Sequence, residues 1–503
     1  MTLRKESNMA NKENFSRLPV SVLNDYPAIA DQSRIDSYLQ KLIGIDNHKL
    51  VVLDDDPTGV QTVHDVHVYT SWDVDSIREG FKEENKLFYI LTNSRGMTVD
   101  ETTKAHREIA ANVAKVSDEL DKPYMILSRS DSTMRGHFPL ETRLLKEGME
   151  ANGYVIDGEV MCPFFKEGGR FTIGNVHYVK QGDELVPAAD TEFAQDKTFG
   201  YSHSSIPEYV EEKTGGEYKA ADVICISLDD LRKAAQELSA PGEGDPVSPT
   251  LDKIVSQIVE VKGFNKICVN AIDYIDLKVF SIALYLANQK GKVFEFRTAA
   301  GLVKAMGGVS DQPLLERADM VQTDTTYGGV VVVGSHTKKT TAQLEKLLTL
   351  EGVEAVEFDS NKVLEGDEAF YAEVDRCVKE EERIIKSGKT SVCFTKRTLL
   401  SLENDTKESA LIRSVKISDG VQSLVARLSI TPAFVVAKGG ITSSDVGTKA
   451  LHVKRALVLG QIEPGIPVWQ TGPWSRFPGI PYIIFPGNVG EVDTLYKAVK
   501  KLI

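Results

Sequence analysis

No two cysteines of this chain form a C-x-x-C pair: the five, Cys162, Cys225, Cys268, Cys377 and Cys393, are scattered, which argues against a disulfide scaffold and for a reduced, cytoplasmic setting. Three of them sit in apolar, strand-like runs and read as small buried hydrophobes rather than nucleophiles. No apolar stretch approaches the roughly 20 residues that span a bilayer, and the polar segment from Met1 to about Ser16 lacks the apolar core of a secretory signal. A soluble protein with no membrane partner is therefore expected. Positive charge is also in short supply: the formal net charge is −14, which argues against general nucleic-acid binding while leaving room for an anion held by a few local Arg and backbone N–H groups. The phosphate-loop pattern G-x-x-x-x-G-K-[ST] is absent, and no convincing G-x-G-x-x-G is present. Neither an internal repeat nor a low-complexity tract stands out.

What remains is an ordinary globular composition, 42% hydrophobic and 26% charged over 503 residues, too long for one core and suited to two domains. Short apolar runs alternate with amphipathic stretches, the pattern of α/β architecture with largely parallel sheets. Leu87–Leu91 reads as a strand, Ala105, Ile109, Val113, Val116 and Leu120 recur as one helix face, and Tyr124–Leu127 is the next strand. Further strands are expected at Lys49–Leu53, His67–Thr70, Val160–Pro163, Val223–Ser227, Lys266–Ala271 and Lys292–Phe296, then near Val330, Val353, Ser391, Phe434, Arg455 and Tyr482. Ala240–Pro246 is turn-rich and reads as an exposed loop. The pattern resets between Gln322 and Gly329, dividing the chain into residues 1–325 and 326–503.

Two polar signals follow strand-like runs, where open α/β sheets gather ligands. Early in the chain, Val51-Val52-Leu53 runs into Asp54-Asp55-Asp56-Pro57-Thr58-Gly59; adjacent carboxylates favour a nearby cation or raised pKa values. Late in the chain, Ala433 to Ala437 runs into Lys438-Gly439-Gly440-Ile441-Thr442-Ser443-Ser444-Asp445. Two glycines there let backbone approach a ligand, and the hydroxyl residues suit a helix N-terminus that binds anions. Gly334-Ser335-His336-Thr337 and Pro486-Gly487-Asn488-Val489-Gly490 end two other strands, so three loops have the chemistry to converge on a nucleotide. Between these signals lies Ser128-Arg129-Ser130-Asp131-Ser132-Thr133-Met134-Arg135-Gly136, and Arg95 sits at another strand exit. A carboxylate flanked by guanidinium groups suits a hydroxylated acid: Arg holds the acid's carboxylate and Asp accepts from its hydroxyls. Read as a strand, Val63 to Tyr69 would put His64 and His67 on opposite faces, which argues against a metal site there.

Taken in order, these motifs resemble those of the four-carbon acid sugar kinase family, over nearly the whole chain. Asp55-Asp56-Pro57-Thr58-Gly59 is similar to its D-D-x-T-G signature, Asp131-Ser132-Thr133-Met134-Arg135-Gly136 to D-S-T-x-R-G, and Pro163 to Arg170 to its proline- and glycine-bearing loop. Lys438 to Ser443 and Gly487 to Gly490 resemble its nucleotide motifs. The resemblance implies an N-terminal sugar-acid domain, a C-terminal ATP domain, a cleft between them, and Mg²⁺-assisted transfer of a phosphoryl group to a tetronate or 3-oxo-tetronate, with a homodimer as one possible assembly. It maps ATP contacts to Ser335, Gly439, Gly440, Ile441, Thr442 and Gly487. Arg95, Ser128, Arg129, Ser130 and Arg135 are the substrate candidates, and Asp55, Asp56 or Asp131 the proton acceptor; no residue is assigned to metal. The chain departs from many relatives at Ile441, where they carry an acidic residue, and at Phe485-Pro486, where they carry a Lys. The early motif also supports a second reading: Asp54-x-Asp56-x-Thr58 matches the nucleophile motif of haloacid-dehalogenase-type phosphatases, with Asp54 as nucleophile, Asp56 as acid/base, and Thr92 or Ser128 as a phosphate contact. That reading leaves the late glycine loops without a role.

Overall fold

The computed structural model describes residues 15–321, 325–398, 400, 402, 405–487 and 489–503. Most of the N-terminal polar segment, part of the Gln322–Gly329 reset and Asn488 lie outside the described residues. The chain forms two compact units, residues 1–52 with 94–308 and residues 53–93 with 309–503. The second unit is thus built from two stretches of chain.

In the first unit, strands run in the order Ile224–Ile226, Asn265–Val269, Gly158–Cys162, Phe294–Thr298, Tyr124–Arg129 and the start of Lys49–Asp54. The pairings from Ile224–Ile226 through to Tyr124–Arg129 are parallel. Their residues are mostly buried on both faces, as parallel strands covered by helices must be. The helix Val99–Leu120 starts at a capping box in which Thr98 and Glu101 satisfy each other's backbone N–H, and it buries Ala105, Ile109, Val113 and Val116. A four-stranded antiparallel sheet, in the order Leu18–Pro19, Glu184–Pro187, Val176–Gln181 and Arg170–Ile173, was not anticipated.

In the second unit the order is Leu87–Leu91, Val66–Tyr69, Arg455–Glu463, Ile466–Thr471, Pro481–Phe485, Val435–Lys438, Val330–Val333, Thr390–Thr395 and Val353–Phe358. The last five strands are mutually parallel, and the hairpin Arg455–Glu463/Ile466–Thr471 is antiparallel. Val331, Val333, Val392, Val436, Ile483 and Phe485 join one buried core with the helix Thr494–Leu502. Ala240 to Pro246 carries no regular structure beyond the end of its preceding helix. All five cysteines are free, and four are buried. Among the described residues, no helix is long and apolar enough to cross a membrane.

Candidate functional site

In the first unit the strand Tyr124–Arg129 ends beside Thr298 of its parallel neighbour, and the polar loop that follows carries the charged residues. Asp131 Oδ1 meets Arg95 Nη1 at 3.2 Å, and Arg135 Nε donates to Asp131 Oδ2 at 2.7 Å. The Thr133 hydroxyl donates to the same oxygen. Burial alone would raise the Asp131 carboxyl, but Arg95 and Arg135 outweigh it and hold the group well below the ordinary carboxylate range. A carboxylate so stabilised is a strong orienting anion and a weak base. Arg129 is buried and donates to the carbonyl of Ser130 at 3.2 Å, and the hydroxyls of Ser128 and Ser130 are 3.4 Å apart.

Arg297 and His177, near this loop, carry no sequence signature of their own role, and Arg170 closes the loop of residues 163–170. Arg297 donates to Ser130 Oγ at 3.2 Å and stands 3.7 Å from the buried Glu141. Arg170 and Arg135 both lie over the Phe193 ring, at 5.5 and 5.1 Å. His177 is buried and held down to about 4, chiefly by burial. Its Nε2 faces the Ser132 carbonyl at 2.7 Å and so carries the proton, leaving Nδ1 to accept from the Thr172 hydroxyl at 3.0 Å.

The acidic strand end belongs to the second unit from Leu53 onward. Asp54 and Asp55 are buried. Asp54 Oδ1 accepts from the Asp56 N–H at 3.2 Å, while Asp56 Oδ1 accepts from the N–H and the hydroxyl of Thr58 at 2.8 and 2.5 Å. This is a self-capped Asx turn. The Thr92 hydroxyl donates to the Asp54 backbone carbonyl at 2.9 Å, a structural use of the threonine that the phosphatase motif reserves for phosphate. His67 Nδ1 stands 3.1 Å from Glu83, and His64 pairs with Asp65.

The glycine loops form a single cavity. Val333, Lys438 and Phe485 stand in one register row across three parallel strands, so the loops after them leave the sheet at the same edge. A Cβ on Gly334 would collide with Thr442 Oγ1; one on Gly439, at φ +124°, would sit 3.4 Å from Ser335 Cβ; one on Gly487 would stand 4.0 Å from the Gly440 nitrogen. These are close approaches that only glycine permits at Gly334 and favours at Gly439. The cavity holds about 630 Å³ and is lined by Ser335, Gly439, Gly440, Ile441, Thr442 and Gly487, all six of the residues mapped to ATP. A Cβ on Gly440 would meet nothing within 4 Å, so the backbone there faces open space. Ile441 is 73% exposed at the cavity wall, whereas Thr442 is buried. The helix Lys407–Ala426 supplies a further wall through Ala410, Ser414, Ile417 and Val421. Those positions carry no glycine signal, and nothing in the sequence marks them.

Basic side chains around this cavity hold its frame. Lys438 Nζ donates to the carbonyls of Pro486 and Gly487 at 2.6 and 3.1 Å and lies 4.4 Å from the Phe485 ring centroid. Burial, with repulsion from Lys339, holds its ammonium down to about 7. Arg397 Nη2 donates to the Ser335 carbonyl at 2.5 Å and to Thr341 Oγ1 at 3.0 Å. Among the described residues, no group of three or more His, Cys, Asp or Glu is arranged to hold a metal ion.

Two family models match consecutive parts of this sequence, a sugar-binding N-terminal domain over residues 50–306 and a nucleotide-binding C-terminal domain over residues 330–495. The chain belongs to the four-carbon acid sugar kinase family. Members of this family pair those two domains, and the glycine-lined cavity lies within the nucleotide-binding match. Among solved structures, a Haemophilus influenzae protein of the DUF1537 family is 16% identical, with a TM-score of 0.60 over 90% of this chain and 100% of that one. A Salmonella typhimurium LT2 protein that carries the provisional label tRNA synthase is 15% identical, with a TM-score of 0.63 over 90% of this chain and 98% of that one. At those identities the likeness is one of fold. No curated protein matches the sequence closely enough to count as a relative.

Proposed function

We propose that this chain is an ATP-dependent kinase that phosphorylates the terminal hydroxyl of a four-carbon sugar acid, a tetronate or 3-oxo-tetronate, to the 4-phosphate. The observation that carries this reading is the convergence of Ser335, Gly439, Gly440, Ile441, Thr442 and Gly487 on one 630 Å³ cavity, a size suited to a nucleotide. Open space at Gly440 and close approach at Gly439 fit phosphate or ribose oxygens against backbone. Bound ATP supplies the phosphoryl group. Residues 1–325 are assigned to the sugar acid and residues 326–503 to the nucleotide.

In this reading Arg95 and Arg135 bind the acid's carboxylate, and Arg129, Ser128 and Ser130 shape the same strand end. Asp131 orients both guanidinium groups and accepts from substrate hydroxyls; its depressed pKa makes it a poor proton acceptor, because a general base works best near the operating pH. Asp55 and Asp56 are left for that proton. Phosphoryl transfer depends mainly on positioning and charge neutralisation, which guanidinium groups and backbone N–H groups provide. Mg²⁺ commonly binds through substrate phosphates and one or two carboxylates; with no three-ligand group among the described residues, it is proposed to enter with the nucleotide, and no side chain is assigned to it. A cytoplasmic setting completes the reading. The phosphatase alternative is disfavoured because the Thr92 hydroxyl is spent on the Asp54 backbone carbonyl and the cavity has no part in it. A screen for ADP release over erythronate, threonate and 3-oxo-tetronate stereoisomers tests the assignment. Release with at least one acid supports it, and no release with any, beside an active control enzyme, overturns it.

A further inference from the structure

Four successive carbonyls of the acid-binding loop each accept a hydrogen bond from a different side chain brought in from elsewhere in the first unit. His177 Nε2 donates to Ser132 O at 2.7 Å, Tyr201 Oη to Thr133 O at 2.7 Å, Tyr209 Oη to Met134 O at 2.7 Å, and Arg297 Nη2 to Arg135 O at 2.9 Å. All four donor residues are buried. Their positions are fixed by packing: the Tyr201 and Tyr209 rings meet edge to face at 5.5 Å, Tyr209 stacks on Phe138 at 5.6 Å, and Arg297 lies 5.0 Å from the Phe138 ring centroid. The loop itself turns sharply, with the Met134 N–H donating to Asp131 O at 2.9 Å and positive φ at Met134 and Gly136.

A short polar loop normally samples many conformations, and its ordering opposes any ligand it must hold still. Here each displacement of a carbonyl would strand a buried donor, which is far more unfavourable than losing a solvated one. The consequence falls on Asp131 and Arg135, whose backbone is fixed at both ends of the turn. Carboxylate recognition by guanidinium groups is directional, so small errors in their placement weaken it.

We infer that His177, Tyr201, Tyr209 and Arg297 are positioning residues that act through the backbone of Ser132–Arg135 to hold Asp131 and Arg135 in place for a carboxylate-bearing substrate. The inference rests on the kinase reading for the identity of that substrate, but the clamp itself can be read without turnover. The decisive variant is the double substitution Tyr201→Phe/Tyr209→Phe, which keeps both rings and removes only the two hydroxyl donors; Arg297→Lys, which retains a cationic donor, serves as the conservative comparison. In the full-length, ligand-free protein, amide hydrogen exchange at Met134 is expected to accelerate at least tenfold in the double variant, while the strand Tyr124–Arg129 keeps its protection. Steady-state kinetics with the acid found by the ADP-release screen are expected to give a KM for the acid raised at least tenfold, an unchanged KM for ATP, and a smaller rise in Arg297→Lys. Unchanged exchange at Met134, or equal shifts in both KM values, overturns the inference. If wild-type protein consumes no tetronate, the kinase reading fails on its own account, and exchange at Met134 still decides whether the clamp exists.

Discussion

In the proposed reading, the loop after Tyr124–Arg129 and the cavity at the end of Val435–Lys438 meet two anions by opposite means. In the first, guanidinium groups from Arg95 and Arg135 converge on a carboxylate, and the backbone is held from behind by buried donors. In the second, glycine, hydroxyl and aliphatic residues make up most of the lining, Arg413 in the wall is paired with Asp405, and the nearby cations Lys438 and Arg397 spend hydrogen bonds on the protein's own carbonyls. The difference is chemical. A small, flexible acid offers one fixed charge and needs directional partners, whereas a nucleotide offers a large surface that shape and backbone N–H groups can recognise. Specificity for the acid is thus expected to be sensitive to side-chain identity, and nucleotide binding to added volume.

The contrast can be broken most sharply at Gly440. Gly440→Val introduces methyl groups into open space, so the protein should fold normally yet lose on the order of 100-fold or more in ATP affinity, about 2.7 kcal/mol; calorimetric titration with ATP reads this directly, and unchanged affinity would remove the cavity from the nucleotide site. Next in size is Arg135→Lys. Losing the planar fork should raise KM for the acid roughly 10- to 100-fold with KM for ATP unchanged, a split that initial-rate measurements resolve.

A third prediction separates the two regions by pH. Burial lowers the His177 imidazole from 6.5 to about 4 and the Lys438 ammonium from 10.5 to about 7. In each window the unfolded chain binds more protons than the folded one, so stability rises with pH from about 4 to 6.5 through His177 and from about 7 to 10.5 through Lys438. Thermal unfolding across pH should therefore lose its upper slope in Lys438→Met while keeping the lower one. The smallest effect is expected at Asp54→Asn, which keeps an oxygen to accept from the Asp56 N–H. Activity should stay within about threefold of wild type, since a neutral amide oxygen still accepts that bond; complete loss would favour the aspartyl nucleophile of a phosphatase.

The parallel strands were legible because each is a short, nearly continuous apolar run ending in polar residues. The antiparallel strands Arg170–Ile173 and Val176–Gln181 are short and mixed, and their signal lay in the turn: Gly174 and Asn175, both at positive φ, make the two-residue link of a tight hairpin. The joining of residues 53–93 to the C-terminal unit left no trace, because the chain passes at Val52/Leu53 and Asn93/Ser94 without any change to linker composition. In the candidate site, glycine advertises close approach, so the cavity's loops could be read. Ala410, Ser414, Ile417 and Val421 are ordinary residues of an amphipathic helix, and Tyr201, Tyr209 and Arg297 bind backbone carbonyls, which impose no residue pattern on the loop they hold.

The account's central claim is that the two regions serve one reaction, transfer from ATP to a four-carbon acid. Its most direct test is mass spectrometry of the acid product after incubation of the full-length protein with ATP, Mg²⁺ and each tetronate and 3-oxo-tetronate stereoisomer. The account predicts one acid converted to its 4-phosphate with an equal amount of ADP formed; ADP formed without a phosphorylated acid, or phosphate released from a 4-phosphate instead, would contradict it.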